Sequence, residues 1–287
     1  MLYLNTYVKI NLVIFLKGEL ILTDTLVTKE ILKSGFKELG LIPGMKLIVH
    51  SSFKSFGKVE GGPDAVIDAI EEIIGEQGTL MMPSFNHGEP YYNGEIFDVN
   101  TTPTINGIIP ETFRKREGVL RSINPTHPFC AWGNDKERYT KDHQKFDSFG
   151  VDSPLYRLME DGGYCMLIGT GYKSNTFHHL VETCENSPCL LPRGEEYPVK
   201  LHDGTLTKAH TWSWRDGICP LNYNAIYEPL MRSIDHRIKI GNSEIILYKL
   251  SDGYKIIADC LNNGTIDGIK CSECPIRPRV CEWSVNK

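Results

Sequence analysis

No apolar run in this sequence is long enough to cross a bilayer. The best candidate, residues 10–16, is interrupted by Asn11 and falls well short of the ~20 residues that a membrane-spanning helix needs. No small-residue cleavage site follows it, which disfavours a secretory signal peptide. We therefore expect a cytoplasmic protein with no membrane partner, in which residues 1–27 form an N-terminal extension.

The chain also lacks an excess of basic residues. It carries 31 Lys and Arg against 36 Asp and Glu, which gives a net charge of −5 at pH 7. Nucleic-acid binding usually needs a basic face, so no nucleic-acid partner is expected. Hydrophobic residues make up 41% of the 287 residues, enough for the core of one large domain or two small ones.

A disulfide framework is missing as well. The nine cysteines are an odd number and most are scattered, which indicates a reducing compartment. Cys271, Cys274 and Cys281 lie together in a Cys-rich C-terminal tail over residues 266–287. Structural zinc normally takes four ligands, and the sequence shows no evident fourth ligand beside these three, with Cys260 as a candidate. We therefore expect no metal, with zinc at the three tail cysteines as the less favoured alternative.

The common phosphate-binding signatures are absent too. The glycine-bearing segment from His50 to Pro63 lacks the Gly-Lys-Ser/Thr ending of a P-loop, and it is not a dinucleotide-binding fingerprint. The segment nevertheless joins a predicted strand to a predicted helix, where hydroxyls and free N–H groups can hold phosphate oxygens. A tight turn with a helix cap is the alternative.

Helical and strand patterns alternate along the chain. The predicted helices cover 28–40, 63–74, part of 103–116, 154–160 and 175–184, and the predicted strands cover 46–50, 79–83, the end of 121–133 and 164–169. Residues 84–104 lack periodicity, which is typical of a functional loop. Residues 195–260 favour a strand-rich part of the same globule. This alternation indicates an α/β layered fold.

One pair of residues has the spacing of a catalytic base and its partner. His179 and Glu182 are three apart, so they share a face if residues 175–184 are helical. A carboxylate beside an imidazole fixes its tautomer and favours the imidazolium form, which suits a general base. An ordinary surface pair is the alternative, and His178 competes for the role because the helix phase is not fixed by the pattern.

A series of short segments in a fixed order covers most of the chain. They are His50–Gly57, Val59–Gly62, Gly78–Pro83, Thr102-Pro103, Gly107, Glu111–Arg114, Gly118–Ser122, Pro125–His127, Gly150, Ser153–Leu155, Gly162-Gly163, Leu167–Gly169, Asn175-Thr176, His179 and Glu182. Over roughly residues 28–260, this ordered set resembles the aminoglycoside 3-N-acetyltransferase family. Each segment is short, and their order makes the resemblance specific.

The resemblance implies a fold and an activity. The fold is a three-layer α/β/α sandwich around a mixed sheet, with a strand-rich C-terminal part, in an acetyltransferase domain over residues 28–265. Members transfer acetyl from acetyl-CoA to an amine, in the best-known cases the 3-amine of a 2-deoxystreptamine antibiotic, which confers antibiotic resistance. The matching His179 is then the general base and Glu182 its acidic partner, which favours His179 over His178.

The resemblance also suggests binding residues. The residues expected at the coenzyme A site are His50, Ser51, Ser52, Val59, Gly61, Gly62, Thr102, Thr104, Arg121 and Ser122. The residues expected to contact the substrate are Glu89, Tyr91, Tyr92, Asp98 and Asn175. Acids in loop 86–100 can grip a polycation, and its aromatic rings can stack on a sugar. A solvated loop is the alternative.

The identity of the amine is left open by the sequence. The leading hypothesis is an acetyl-CoA-dependent N-acetyltransferase of a small polar amine, with the 3-amine of an aminoglycoside as one candidate. One alternative is an N-acyltransferase of an amino sugar or natural-product amine in a biosynthetic pathway. Another is a non-catalytic coenzyme A-binding protein. The chain is expected to be a monomer or a homodimer.

Overall fold

The computed structural model describes residues 14–16, 19–21, 26–87, 91, 93–186, 190–191, 193–214 and 228–263. Its strands are β1 (Ile14–Leu16), β2 (Glu19–Ile21), β3 (Lys46–Ser51), β4 (Thr79–Pro83), β5 (Phe97–Asp98), β6 (Leu120–Arg121), β7 (Phe129–Gly133), β8 (Tyr164–Ile168), β9 (Leu190–Leu191), β10 (Glu196–Lys200), β11 (Leu206–His210), β12 (Ser213–Trp214), β13 (His236–Ile240) and β14 (Ser243–Lys249). Its main helices are α1 (Lys29–Leu39), α2 (Gly62–Ile74), α3 (Ile108–Arg114), α4 (Lys136–Thr140), α5 (Pro154–Glu160), α6 (Phe177–Cys184) and α7 (Leu250–Asn263). Short 3₁₀ helices span Phe53–Phe56, His143–Lys145 and Tyr172–Ser174.

A seven-stranded mixed sheet forms the centre, with the strand order β13-β14-β8-β3-β4-β7-β6. The three central strands β8, β3 and β4 are parallel, and Leu47 pairs with Tyr164 on one side and Leu80 on the other. The outer strands join antiparallel. The carboxyl ends of the three parallel strands therefore meet at one edge of the sheet.

Helices cover both faces of this sheet. On one face, Leu47 and Val49 of β3 belong to a buried apolar cluster with side chains of α1, α2 and α3. On the other face, Ile48 of β3 and Leu167 of β8 pack with side chains of α5, α6 and α7. Alternate residues of a strand point to opposite faces, so one short strand serves both cores. The predicted three-layer α/β/α sandwich around a mixed sheet is confirmed.

Local signals set the first helix. The Thr28 hydroxyl caps α1 by accepting a hydrogen bond from the Ile31 amide at 3.4 Å. Gly40 ends the helix with a left-handed φ of 115°, a conformation that glycine adopts without steric cost. The predicted helix over 28–40 is confirmed, as are those over 63–74 and 154–160.

The C-terminal part is only partly rich in strands. β10, β11, β13 and β14 confirm the expectation for residues 195–260 as far as Lys249. The expectation is wrong from Leu250 onward, because α7 begins directly after β14. The junction is tight, since a Cβ added at Gly253 would lie 2.6 Å from Cε2 of the Tyr248 ring. Burial of Leu250 and Ile257 in the second core holds the helix there.

The predictions about chain organisation have mixed outcomes. β1 and β2 form a hairpin within the expected N-terminal extension, and Val27 pairs with Val59. The domain limits at residues 27 and 265 stay predictions. Within the described ranges, no helix is long and apolar enough to span a membrane. The cysteines there that are free are Cys130, Cys165, Cys184 and Cys260.

Candidate active site

The site lies at the edge where the parallel strands end. β8 stops at Ile168, and the short 3₁₀ helix Tyr172–Ser174 leads the chain into α6. Gly169 makes this turn with φ 63°, and a Cβ there would lie 2.0 Å from the Ser55 hydroxyl. Only glycine fits such a close approach. Ligands of α/β sheets gather at this edge, so α6 starts where a ligand is expected.

Both ends of α6 are fixed by distant residues. At its start, the Asn175 amide nitrogen donates to the Tyr248 hydroxyl at 2.7 Å, and its oxygen accepts from the Phe177 amide at 3.3 Å. Just after its end, the Glu185 carboxylate accepts from the Tyr254 hydroxyl and from the Asn262 amide, each at 2.8 Å. α6 is therefore held by β14 and α7.

The expected base and acid meet on this helix. His179 Nδ1 lies 2.7 Å from Glu182 Oε2, and the Glu182 side chain is only 5% exposed. With the proton on Nδ1 donated to the carboxylate, Nε2 is left as a proton acceptor. Burial lowers the pKa of His179 to about 3, with His87 acting in the same direction, and the Glu182 carboxylate opposes that lowering. The imidazole is therefore neutral at physiological pH, with a lone pair on Nε2 when Nδ1 carries the proton.

Aromatic rings surround the His179 imidazole. The Trp212 ring centroid lies 4.4 Å from that of His179, and the Phe149 centroid lies 5.6 Å away. Phe149 and Trp212 meet edge to face at 5.2 Å. These rings cover much of the imidazole, whose side chain is 15% exposed, and this partial burial strengthens electrostatic interactions there. Neither ring was predicted at the site, because each comes from a loop distant in sequence.

Other histidines surround this pair. The His178 ring centroid lies 4.0 Å from that of His179, and the His127 ring packs against Trp212 at 5.3 Å. His50 Nε2 lies 3.4 Å from the Thr176 hydroxyl at the start of α6. Burial lowers the pKa of His50 to about 4 and holds those of His127 and His178 well below the usual range. The sequence analysis named His127 only within the ordered segment Pro125–His127 and treated His178 only as a competitor for the role of base.

The first half of the expected coenzyme A set lies around the end of β3. His50 and Ser51 close this strand, and the Ser51 hydroxyl is buried without a hydrogen-bond partner among the described residues. The Ser52 amide donates to the Ile168 carbonyl at 2.8 Å, which ties the loop to β8. Across the following loop, Val59 precedes Gly61 and Gly62, which take left-handed φ values of 76° and 65° at the start of α2. Their role in coenzyme A binding stays a prediction.

Arg121 and Ser122, also expected at the coenzyme A site, make hydrogen bonds to other groups of the protein. Arg121 is 4% exposed, and its guanidinium donates to the carbonyls of Thr102 at 2.5 Å and Ser84 at 2.6 Å. The Ser122 hydroxyl bonds His143 Nδ1 and the Phe129 amide, each at 2.8 Å. These contacts give both side chains a structural role, and coenzyme A contact by them stays a prediction without support from their positions.

Two threonines expected beside the coenzyme stabilise their own loop. The Thr102 hydroxyl accepts from the Asp98 amide at 2.9 Å. The Thr104 hydroxyl donates to the Asn106 side chain at 2.9 Å, and the Thr104 amide donates to Glu111 at 3.0 Å. The loop is thus ordered by internal bonds.

The expected substrate residues are not brought together. Asp98 bonds the Asn100 and Thr101 amides and pairs with Lys200 at 3.1 Å, so its charge is already matched. Tyr91 lies against the Tyr197 ring at 4.9 Å. Asn175 is 2% exposed and anchors α6. Glu89 and Tyr92 lie outside the described residues, as do Cys271, Cys274 and Cys281. Substrate contact by any of the expected substrate residues stays a prediction.

A pocket of about 340 Å³ lies near the C-terminal end of α6. Thr183 and Cys184 of the last helical turn line it, as does Asn186 just after the helix. Asp147, Lys145 and Arg193 complete its polar wall, and Arg193 Nε lies 3.4 Å from the Asp147 carboxylate. The sequence did not predict this pocket, since its walls come from three separate segments.

Comparison with known proteins agrees with this geometry. The sequence model of a family described as aminoglycoside 3-N-acetyltransferase matches residues 48–262. The chain belongs to this family. The resemblance found in the sequence is confirmed.

Particular relatives bear this out. The SPbeta prophage-derived aminoglycoside N(3')-acetyltransferase-like protein YokD of Bacillus subtilis (strain 168) is 36% identical over 175 residues, which are 54% of this chain and 64% of the relative. The chain thus spans slightly less than two thirds of that relative's length. A histidine-to-alanine variant of aminoglycoside acetyltransferase AAC(3)-IVa in complex with a gentamicin has a TM-score of 0.73 at 27% identity, covering 84% of this chain and 91% of that one. A structure of AAC-IIIb with CoASH has a TM-score of 0.68 at 23% identity, covering 82% and 96%, which shows the shared fold.

Proposed function

We propose that this protein is an acetyl-CoA-dependent N-acetyltransferase that acetylates an amine of a small polar substrate, with the 3-amine of an aminoglycoside as the first candidate. The observation that carries the proposal is the His179–Glu182 contact of 2.7 Å, buried at the carboxyl edge of the parallel strands. Membership of the family supports it, because the family takes its name from this reaction.

The chemistry begins with a proton. An ammonium nitrogen has no lone pair, so it must lose a proton before it attacks a thioester. His179 Nε2 accepts that proton, while Glu182 holds Nδ1–H and stabilises the imidazolium that forms. The amine nitrogen then bonds the acetyl carbonyl carbon, and the bond from that carbon to sulfur breaks. The second proton lost by nitrogen ends on the coenzyme A thiolate, and the first leaves through His179 to solvent.

Electrostatics make the proton transfer depend on Glu182. Burial lowers the pKa of His179 and keeps the imidazole neutral at physiological pH, and burial alone also weakens it as a base. The rings of Trp212 and Phe149 limit contact of the imidazole with water, so the positive charge that forms on it is stabilised mainly by Glu182. General-base assistance of this kind contributes about 10²–10⁴-fold.

The pairing of Asp98 supports a second candidate substrate. Asp98 is an acid expected to contact a polycationic substrate, and it is instead paired with Lys200 at 3.1 Å. A less cationic amine, such as that of an amino sugar, does not depend on this acid. An N-acyltransferase of a nucleotide-linked amino sugar is therefore the alternative.

An amine panel separates these candidates. Purified protein is incubated with acetyl-CoA and either gentamicin, apramycin or a nucleotide-linked amino sugar, and the acetylated product is measured by mass spectrometry. We expect acetylated aminoglycoside, and a His179→Ala variant that is about 10²–10⁴-fold slower in kcat/KM. The control is His236→Gln, an exposed histidine on β13. Product from the sugar alone favours the second candidate. Wild-type rates in His179→Ala refute the assigned base. If no amine yields a product, the alternative of a non-catalytic binding protein is favoured.

A further inference from the structure

One group of metal-ligating side chains converges within the part of the chain that the structure describes. His178, His179 and Glu182 each offer one ligand atom, and these atoms lie within 4.8 Å of one another. The two imidazole ring centroids are 4.0 Å apart with an angle of 66° between the rings. Glu182 Oε2 is already 2.7 Å from His179 Nδ1. Consecutive residues of a helix normally point apart, so this convergence at the start of α6 is unusual.

The donor set fits one class of metal ion. Imidazole nitrogen and carboxylate oxygen together suit Zn²⁺ and its neighbours in the first transition series, whereas Mg²⁺ prefers oxygen ligands in octahedral geometry. Two histidines and one glutamate with an open fourth position is an arrangement that zinc takes in catalytic sites. The carboxylate also offsets part of the charge that the ion brings into a buried position.

We propose that His178, His179 and Glu182 form a binding site for a divalent transition metal ion such as Zn²⁺, and that an ion bound there blocks the base. Zinc bonds of about 2.0–2.2 Å to nitrogen and oxygen place tetrahedral ligands about 3.3 Å apart. The three donors, now within 4.8 Å, therefore close on the ion by side-chain rotation within the first two turns of α6.

Inhibition follows from either mode of binding. If the metal bonds Nε2 of His179, it takes the lone pair that accepts the substrate proton. If it bonds Nδ1, the remaining proton must sit on Nε2, and Glu182 no longer orients the ring. The base is lost in both cases. This second half of the inference rests on the proposed function, whereas binding of the ion does not.

Cobalt spectroscopy of the wild-type protein tests the binding directly. The purified chain is titrated with Co²⁺ and its visible and near-ultraviolet absorption is recorded. We expect ligand-field bands of a low-coordinate nitrogen and oxygen site at one equivalent, and hyperfine-shifted imidazole N–H signals from two histidines in the proton NMR spectrum. Thiolate charge-transfer bands without those imidazole signals would assign the ion to the cysteines and overturn the inference.

A matched pair of histidine variants completes the test. His178→Gln should weaken Co²⁺ and Zn²⁺ binding by at least about 10–100-fold, the range found even for outer-shell partners of a metal. His236→Gln, on the exposed start of β13, should bind as the wild type does. Equal affinity in all three proteins refutes the site. If His178→Gln does not fold, as judged by circular dichroism, the count of imidazole signals in the wild type still decides.

The activity measurement then tests the consequence. Zn²⁺ is added to the transfer reaction, and EDTA is added afterwards to reverse the effect. The acetylated product is followed by mass spectrometry, because zinc also binds the free thiol of coenzyme A and would disturb a thiol assay. We expect inhibition that follows the occupancy measured with Co²⁺ and a higher half-inhibiting concentration in His178→Gln. Full activity at saturating occupancy refutes the block. If no amine is acetylated, the proposed function fails and the binding result stands alone.

Discussion

Replacing Glu182 by glutamine tests how the base works. The carboxylate lies 2.7 Å from His179 Nδ1, and the substitution keeps the size and an acceptor oxygen while it removes the charge. A hydrogen bond to a charged group contributes about 1.5–3 kcal/mol, against about 0.5–1.5 kcal/mol for a neutral one. The difference of about 1–1.5 kcal/mol, which applies when the imidazolium forms, corresponds to a kcat roughly 5- to 13-fold lower. The KM for acetyl-CoA should stay unchanged, because the lost interaction strengthens only in the transition state.

The assay is steady-state acetyl transfer with the amine that the panel identifies. Glu185→Gln is the matched control, since Glu185 follows the same helix but bonds Tyr254 and Asn262 instead of the base. We expect kcat to fall in Glu182→Gln and not in Glu185→Gln. A kcat within twofold of the wild type, or an equal loss in both variants, would falsify the assignment of Glu182 as the partner of the base.

Three further predictions concern stability and binding. Burial lowers the pKa of His143 to about 4, so between about pH 6.5 and 4 the unfolded state binds a proton that the folded state does not bind. The free energy of unfolding should therefore fall with falling pH by about 1.4 kcal/mol per pH unit for such a group. Urea midpoints at several pH values measure this, and His143→Gln should flatten the slope. Arg121→Met should lower the melting temperature through lost hydrogen bonds to two carbonyls, whereas a raised KM for acetyl-CoA at unchanged stability would contradict its structural role. Gly133→Ala should lower the free energy of unfolding by about 3 kcal/mol or more, because its Cβ would lie 2.2 Å from a carbonyl oxygen. Gly204→Ala, also at positive φ but in open space, should lower it by about 1–2 kcal/mol. Equal losses of unfolding free energy in chemical denaturation would refute the clash.

Local signals explain which elements the sequence could predict. Thr28 and Gly40 bracket α1 with contacts inside the same segment, so the helix could be read from its own residues. No such signal separates β14 from α7, because the strand ends at Lys249 and the helix begins at Leu250 without a glycine or proline between them. The strand prediction for residues 195–260 therefore extended past Lys249 into the helix.

The same distinction holds for the site. The contact between His179 and Glu182 lies within one helical turn, so spacing could suggest it. The Arg121 guanidinium donates hydrogen bonds to carbonyls of residues far away in sequence. A motif match alone could not show that this group is hydrogen-bonded inside the fold. The approach of Trp212 and Phe149 to the base depends likewise on how separate loops pack.

The anchoring of α6 by β14 and α7 has a consequence for the order of events during synthesis. The helix that carries His179 emerges from the ribosome well before Tyr248, Tyr254 and Asn262, which hold its two ends. β3 and β4, with α1 and α2, can assemble early, whereas β8 lacks its outer neighbour until β14 follows. A nascent or shortened chain without residues 243–263 therefore contains His179 and Glu182 but lacks the contacts that position their helix. A segment translated long after His179 completes the candidate site.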